Sequence, residues 1–331
     1  MSQPFEELPP TPSADELLDT AFSRGARSGG AKSGLDAQQS MLATAANVIS
    51  DNLENVVTRW PDLDAIDPFY RELADALVGV DRLRAALNEI GWAGRKAGEL
   101  RREYEGRLRG DTDRARKLRQ QAFARLADVV EEVAPALEQV AEAGGELGVL
   151  PEIRPEKPTI VVAGYPNVGK SSFVNAVTRA TNETATYPFT TTRINVGHVK
   201  HERIRYQLVD TPGLLDRPEA ERNAVESQAV SALTHAADAV LVVLDPTGEC
   251  GYPLPVQRAL RDEIETRFDA PVLSVFNKSD RVDDPDFPDA EYTMSVTEGT
   301  NVQTVLEAAI AAVGYELELP IDDRADVGPR R

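Results

Sequence analysis

Residues 164–171 read Gly-Tyr-Pro-Asn-Val-Gly-Lys-Ser, and this stretch decides the fold. It follows the β-branched run Thr159-Ile-Val-Val-Ala163 and opens a segment of helical character from Ser171 to Arg179. A buried strand, a glycine-rich turn and a helix start give the pattern GxxxxGK[ST], whose amides cradle phosphate groups. Gly164 and Gly169 let the backbone wrap closely, so that the loop of Tyr165, Pro166, Asn167 and Val168 turns its available amides inward. Lys170 sets a point charge on the β and γ oxygens. Ser171 offers a hydroxyl to Mg²⁺, and the helix N-terminus that continues with Ser172 adds partial positive charge.

Downstream, the short apolar runs RYQLVD (205–210), AVLVVLD (239–245) and PVLSVFN (271–277) alternate with helical segments. That alternation predicts an α/β P-loop domain with a mostly parallel sheet and helices on both faces. Asp210-Thr-Pro-Gly213 ends the first of these runs, where Asp210 can reach Mg²⁺ and the Gly213 amide can sense the γ-phosphate. Asn277-Lys-Ser-Asp280 ends the last one. Guanine presents two adjacent donors that one carboxylate accepts together, and adenine does not, so Asp280 selects guanine and the Lys278 stem packs over the purine. Met294-Ser-Val-Thr-Glu-Gly299 places the backbone of Ser295 and Val296 near the guanine oxygen. The expected ligand is therefore GTP or GDP with Mg²⁺. Between the phosphate loop and Asp210, Thr186-Tyr-Pro-Phe-Thr-Thr-Thr-Arg193 supplies a threonine to close on Mg²⁺, and Thr190, Thr191 and Thr192 are all placed for it.

Upstream the composition changes. From Ser13 to Ala143 the chain is rich in Ala, Leu, Glu and Arg with apolar residues at helical spacing, which predicts an all-α bundle broken at Trp60-Pro61 and Gly110-Asp111. Long stretches from Asp81 to Glu105 and from Asp111 to Ala143 carry few turn signals, and Arg24–Gly34 reads as a flexible loop. Gly144, Gly145 and Gly148 with Pro151, Pro155 and Pro158 mark a linker. The expected organisation is a helical domain over 1–150, a linker over 151–157, the P-loop domain over 158–318 and a disordered tail over 319–331.

The 331 residues carry 36 Lys and Arg against 55 Asp and Glu, a net charge of −19. Such a surface repels nucleic acid wherever it is uniform, so an RNA contact requires a local patch. One patch stands out. Between Arg95 and Arg125 eleven basic residues face five acidic ones, with Tyr104 and Phe123 among them. Only seven of the 36 basic residues are lysine, and an acidic, lysine-poor composition is what a halophile's cytoplasm selects, because molar salt screens charge within about 3 Å; the alternative is a mesophile with an acidic proteome. The single cysteine, Cys250, excludes an internal disulfide and sits in an expected loop with no acid–base pair beside it. The N-terminus lacks the basic start and apolar core of a signal peptide, and the longest apolar run, Ala236–Leu244, is too short for the ~20 residues of a membrane span. A soluble, cytoplasmic protein with no membrane contact and no obligate oligomer is expected. His198, His201 and His235 are too scattered for a metal site.

Taken together the motifs resemble those of the nucleolar GTP-binding protein 1 family, an Obg-related group. The segments DTPGLLDRPEAERNAVESQAVSAL (210–233), LDPTGECGYPLPVQ (244–257) and LPPTPSADELLDTAFSR (8–24) look specific to it, so the resemblance covers nearly all of residues 5–315. It implies a helical N-terminal domain, GTP hydrolysis and a role on the large ribosomal subunit, with rRNA met through the Arg95–Arg125 segment. The similar YPFTT stretch of Obg-related GTPases points to Thr191 as the Mg²⁺ ligand, beside Lys170 and Gly213 in catalysis. Eukaryotic members continue well past the GTPase domain, whereas this chain stops soon after its last expected helix, so it looks like the short archaeal form.

Where Ras-type enzymes carry a water-orienting glutamine, this chain has Leu214 with Leu215 behind it, which implies slow intrinsic hydrolysis. Asn167 occupies the position that binds a monovalent cation in potassium-activated relatives; K⁺ there would serve as an arginine finger, and the alternative is that Asn167 braces the loop. Arg217 and Arg222 flank the second switch and read as surface charges or as catalytic cations. The rival to a ribosome-assembly switch is a signalling or scaffold module that switches protein partners without meeting RNA.

Overall fold

The computed structural model describes residues 3–150, 152–178, 183–186, 193–211, 214–282 and 291–314. Thr190, Thr191, Thr192, Gly213 and the tail expected over 319–331 lie outside the described residues. Two compact units result, one made mainly of the chain up to Glu152 and the other mainly of the chain from Ile153 onward.

The first unit holds six helices among the described residues: α1 (Ala14–Gly30), α2 (Gly34–Thr58), α3 (Pro68–Val78), α4 (Val80–Arg107), α5 (Thr112–Glu132) and α6 (Ala134–Gly148). Their starts carry the expected chemistry. Ser13 and Glu16 form a reciprocal capping box on α1, and Asp67 caps α3 ahead of its first-turn proline. Asp111 accepts from the backbone N–H of Arg114 and Asp113 at 2.9 Å each; the Arg114 bond first among them holds its carboxyl below the usual range. The breaks near Trp60-Pro61 and Gly110-Asp111 fall where expected, and α4 spans the stretch from Asp81 to Glu105. The stretch from Asp111 to Ala143 is divided at Val133, just ahead of Pro135 in the first turn of α6.

Leu42, Ile49 and Leu53 of α2 and Leu83, Ile90 and Leu100 of α4 are all but fully buried, each burial stabilising by ~1.5–3 kcal/mol. Phe5 closes one end of this core, with its ring centroid 6.4 Å from that of Trp60 and 6.3 Å from that of Tyr70.

Two expectations fail here. Arg24–Gly34 is not a loop: α1 continues through Gly30. A Cβ on Gly25 would approach the Met41 carbonyl oxygen to 2.9 Å, and one on Gly29 would collide with the Met41 side chain. These glycines let α1 and α2 approach closely. Gly144, Gly145 and Gly148 likewise lie inside α6 rather than in a linker.

The second unit is built on a seven-stranded sheet in the order β2-β3-β4-β1-β5-β6-β7. The strands are β1 (Thr159–Ala163), β2 (Glu183–Thr186), β3 (Arg193–His201), β4 (Ile204–Asp210), β5 (Ala239–Leu244), β6 (Val272–Phe276) and β7 (Tyr292–Thr293). β1 pairs in parallel with β4 and β5, β5 with β6, and β6 with β7; β3 and β4 are antiparallel. Helix α7 (Lys170–Val177) packs on β1, β3 and β4, α9 (Leu254–Arg267) on β5 and β6, and α10 (Val302–Val313) on β1, β5 and β6. A further helix, α8 (Ala224–Ala236), is divided between the two units, its residues up to Ala232 belonging to the first and those from Leu233 to the second. Ile153 is buried, and Arg154 exchanges two backbone bonds with the Gln207 side chain, N–H to Oε1 at 3.0 Å and Nε2 to carbonyl at 2.8 Å. β1, β4, β5 and β6 are fully or almost fully buried, and their register aligns their carboxyl ends. Gly164, Thr211, Asp245 and Asn277 therefore leave the sheet along one edge, around β1, where the chain order switches sides and α/β folds bind ligands.

Candidate functional site

The loop after β1 depends on backbone that side chains resist. Gly164 has φ 128°, Asn167 62° and Gly169 109°. A Cβ on Gly164 would run into the Val243 carbonyl oxygen, and one on Gly169 into the Asn277 amide. The Gly164 N–H donates to the Leu215 carbonyl at 3.0 Å, joining the loop to the segment after Asp210. Lys170 is 5% exposed and donates from Nζ to the carbonyls of Gly164 (2.7 Å) and Tyr165 (3.0 Å). Burial lowers its pKa, opposed by the charges of Asp216 and Asp210. The Tyr165 ring stacks on Tyr252 at 4.1 Å between centroids, while Pro166 and Val168 complete the turn and Val168 is fully buried.

Ser171, exposed like its neighbour Ser172, donates its hydroxyl to Asp210 Oδ2 at 2.5 Å. Asp210 is wholly buried at the end of β4, level with Val162 of β1. Its Oδ1 takes no hydrogen bond among the described residues, and burial raises its pKa against the pull of Ser171, Lys170 and Asn195. A buried carboxylate oxygen without a donor, beside a hydroxyl, is a donor set suited to a hard, oxygen-seeking cation, so these residues fit Mg²⁺. Asn167 is exposed and makes no side-chain hydrogen bond among the described residues. Leu214 and Leu215 are completely buried.

Asn277 joins three motifs. Its Nδ2 donates to the Val168 carbonyl at 2.8 Å, and its Oδ1 accepts from the Val296 N–H at 3.2 Å. Ser279 N–H donates to the Met294 carbonyl at 3.1 Å, and Ser295 is buried and bridged to Thr300. Asp280 lies in the short 3-10 turn Ser279–Arg281 beside Lys278, which has φ 61°. The structure thus gathers residues 164–172, Asp210, Asn277, Lys278, Asp280, Ser295 and Val296 along one edge.

The sequence reading missed Asp245. Its Oδ1 accepts from the Thr247 N–H (3.0 Å) and hydroxyl (2.6 Å), and its Oδ2 from the Cys250 N–H (2.8 Å) and Lys278 Nζ (2.5 Å). Burial pushes this carboxyl up, but the hydrogen bonds from Lys278, Thr247 and Cys250 outweigh it and hold it below the ordinary range. A signal was available: Asp245 ends a buried apolar run as Asp210 does. Cys250 lies in the expected loop and is buried there. Arg222 is not a surface charge either. Its side chain is fully buried 3.3 Å from Glu263, with Nη2 on the Arg217 carbonyl and Nε and Nη1 unpaired among the described residues.

Within the helical unit the basic segment divides in two. Lys96, Arg101, Arg107, Arg116 and Arg125 pair with carboxylates, and Arg119 donates to Gln38 at 2.8 Å. Arg107 and Arg125 also lie over the Tyr104 ring. Arg95, Arg102, Arg109, Arg114 and Lys117 are exposed and form no ion pair among the described residues. Arg95 and Arg102 lie seven residues, about two helical turns, apart and so share one face of α4, and Arg109 follows just past the end of that helix.

A parallel α/β sheet with a glycine-rich phosphate loop at its switch point and an Asn-Lys-x-Asp turn beside it defines a P-loop GTPase. Residues 5–154 match the family described as the NOG1 N-terminal helical domain, and residues 159–278 the family described as 50S ribosome-binding GTPase. An uncharacterized protein of Methanocaldococcus jannaschii is 35% identical over 294 residues, covering 86% of this chain and 83% of that protein. Nucleolar GTP-binding protein 1 of Drosophila melanogaster is 34% identical over 269 residues, 80% of this chain and 41% of that protein. That of Saccharomyces cerevisiae is 32% identical over 258 residues, 76% and 40%. A solved nucleolar GTP-binding protein 1 structure from Plasmodium falciparum is 31% identical over 50% of this chain and 90% of that one, with a TM-score of 0.45. The chain belongs to the nucleolar GTP-binding protein 1 family. It spans about two fifths of these fly and yeast relatives. It binds GTP and is a GTPase. No helix among the described residues is long and apolar enough to cross a membrane.

Proposed function

We propose that this GTPase is a switch in assembly of the large ribosomal subunit, holding the subunit or its precursor in the GTP state and leaving it after hydrolysis. The observation that carries the nucleotide half is Asn277, whose one side chain ties the phosphate loop at Val168 to the base motif at Val296. The ribosomal half is supported by the description of the family matched over 159–278 and by the five exposed cations between Arg95 and Lys117 that form no ion pair among the described residues. In this reading residues 1–150 form the rRNA-facing domain and 158–318 the GTPase domain, working in the cytoplasm of an archaeon, a halophile by its composition.

Each site residue then has a task. Residues 164–172 hold the phosphates, with Lys170 on the β and γ oxygens, and the Gly213 amide senses the γ-phosphate. Ser171, Asp210 and Thr191 hold Mg²⁺, which neutralises phosphate charge when bound. Asp280 reads guanine, Lys278 covers the purine, and the Ser295–Val296 backbone meets the guanine oxygen. Leu214 orients no water, so intrinsic hydrolysis is slow, and K⁺ at Asn167 supplies the missing positive charge. The test is co-sedimentation of the purified protein with large subunits. Retention with a non-hydrolysable GTP analogue and release with GDP is expected; equal retention in both states overturns the switch.

A further inference from the structure

Asp245 lies 33 residues from Lys278 in the chain, yet Lys278 Nζ donates to its Oδ2 at 2.5 Å. The carboxylate has no exposed side-chain surface, while Lys278 keeps 17% of its side chain exposed. The segment around Asp245 is built to hold it still. Gln257 of α9 accepts from the Asp245 N–H at 2.7 Å and donates to its carbonyl at 2.9 Å. The same amide reaches the Tyr252 carbonyl at 2.7 Å. Gly248 (φ 72°) and Gly251 (φ 94°) let the intervening turn curl round the carboxylate. Glu249, on that turn, pairs with Arg281 and stands 3.9 Å from Lys278 Nζ.

We infer that Asp245 is a positioning residue for nucleotide affinity: it fixes the Lys278 side chain in its purine-covering pose before nucleotide arrives. A lysine has four rotatable bonds, and ordering them costs affinity unless they are ordered in advance. Asp245, itself fixed by Thr247, Cys250 and Gln257, removes that cost. Because the Lys278 stem meets the purine plane rather than its edge, the benefit does not depend on which purine is bound. Asp280, which meets the edge, is the opposite case. The inference rests on the base-site reading above.

The test is a double-mutant cycle on the full chain with fluorescent GDP. Asp245→Asn is nearly isosteric but uncharged, and is expected to weaken binding about tenfold, equally for guanine and hypoxanthine nucleotides. In a Lys278→Met background the same change should cost nothing further. An equal loss in that background shows Asp245 acting on the loop alone and overturns the inference, as does an unchanged affinity in the single variant. Asp280→Asn, run alongside, keeps the two failures apart. If it discriminates guanine from hypoxanthine as the parent does, the base-site reading fails; if only the Asp245 cycle fails, that reading stands.

Discussion

Lys170 and Lys278 in the nucleotide site are each held by at least two oxygens, whereas Arg95, Arg102, Arg109, Arg114 and Lys117 on the helical unit stand exposed with no carboxylate of the described residues in ion-pair reach. In the first region charge is partly or wholly buried, pre-ordered and tied to single atoms. Its cost in desolvation is offset by fixed partners, and in return the ligand meets a site that has little to rearrange. In the second region charge is mobile and hydrated, suited to a phosphate backbone that offers no single atom to match. The difference teaches what to expect of substitution. One changed atom should disable the first region, while the second should respond to summed charge and to salt.

The sharpest break is Lys170→Ala. Because its ammonium acts on developing charge, turnover should fall by about 10²–10³, with thermal stability little changed, since the two carbonyls it releases can take water. Steady-state hydrolysis and a melting curve on one preparation check both halves. Parent-rate hydrolysis by this variant would remove Lys170 from its role.

Reversing Arg102, Arg109 and Arg114 to Glu should abolish co-sedimentation with large subunits and leave GDP affinity within error. Milder changes to Gln should each lower the salt dependence of binding by about one unit of slope. These three are chosen over Arg107 and Arg116, which are already engaged by Glu103 and Asp113. Unchanged sedimentation would return the face to ordinary solvated surface.

A smaller effect concerns the cation beside the phosphates. Turnover in KCl should exceed turnover in NaCl severalfold at equal ionic strength, and Asn167→Ala should lose the difference while still binding GTP. Identical rates in the two salts would remove K⁺ from the mechanism.

Most of the nucleotide site was legible because its chemistry is local. The phosphate loop, Asp210 and the Asn277–Asp280 turn each pack their signal into a few consecutive residues at a strand end. What escaped was long-range. Asp245 meets Lys278 only because β5 and β6 are neighbours in the sheet, and Gln257 reaches Asp245 only because α9 lies on both. Arg222 looked like surface because its sequence neighbours are charged, yet the fold buries it against Glu263. The glycines of α1 misled in the other direction. Gly25 and Gly29 signal flexibility by local rules, but against α2 they serve as contact surface, and packing overrode propensity. The division of the basic segment into paired and unpaired residues was likewise invisible until Glu103, Glu105 and Asp113 had found their partners.

The central claim is that the edge carrying residues 164–172 and 277–280 is a guanine site whose choice of base rests on one carboxylate. Titration of GTP and xanthosine triphosphate against the parent and against Asp280→Asn tests it most directly. An amide at 280 faces the guanine N–H donors with a donor of its own, while the C2 carbonyl of xanthine now meets a partner. The account predicts that the parent prefers GTP and that the variant reverses the order. A variant that still prefers GTP as the parent does would contradict it.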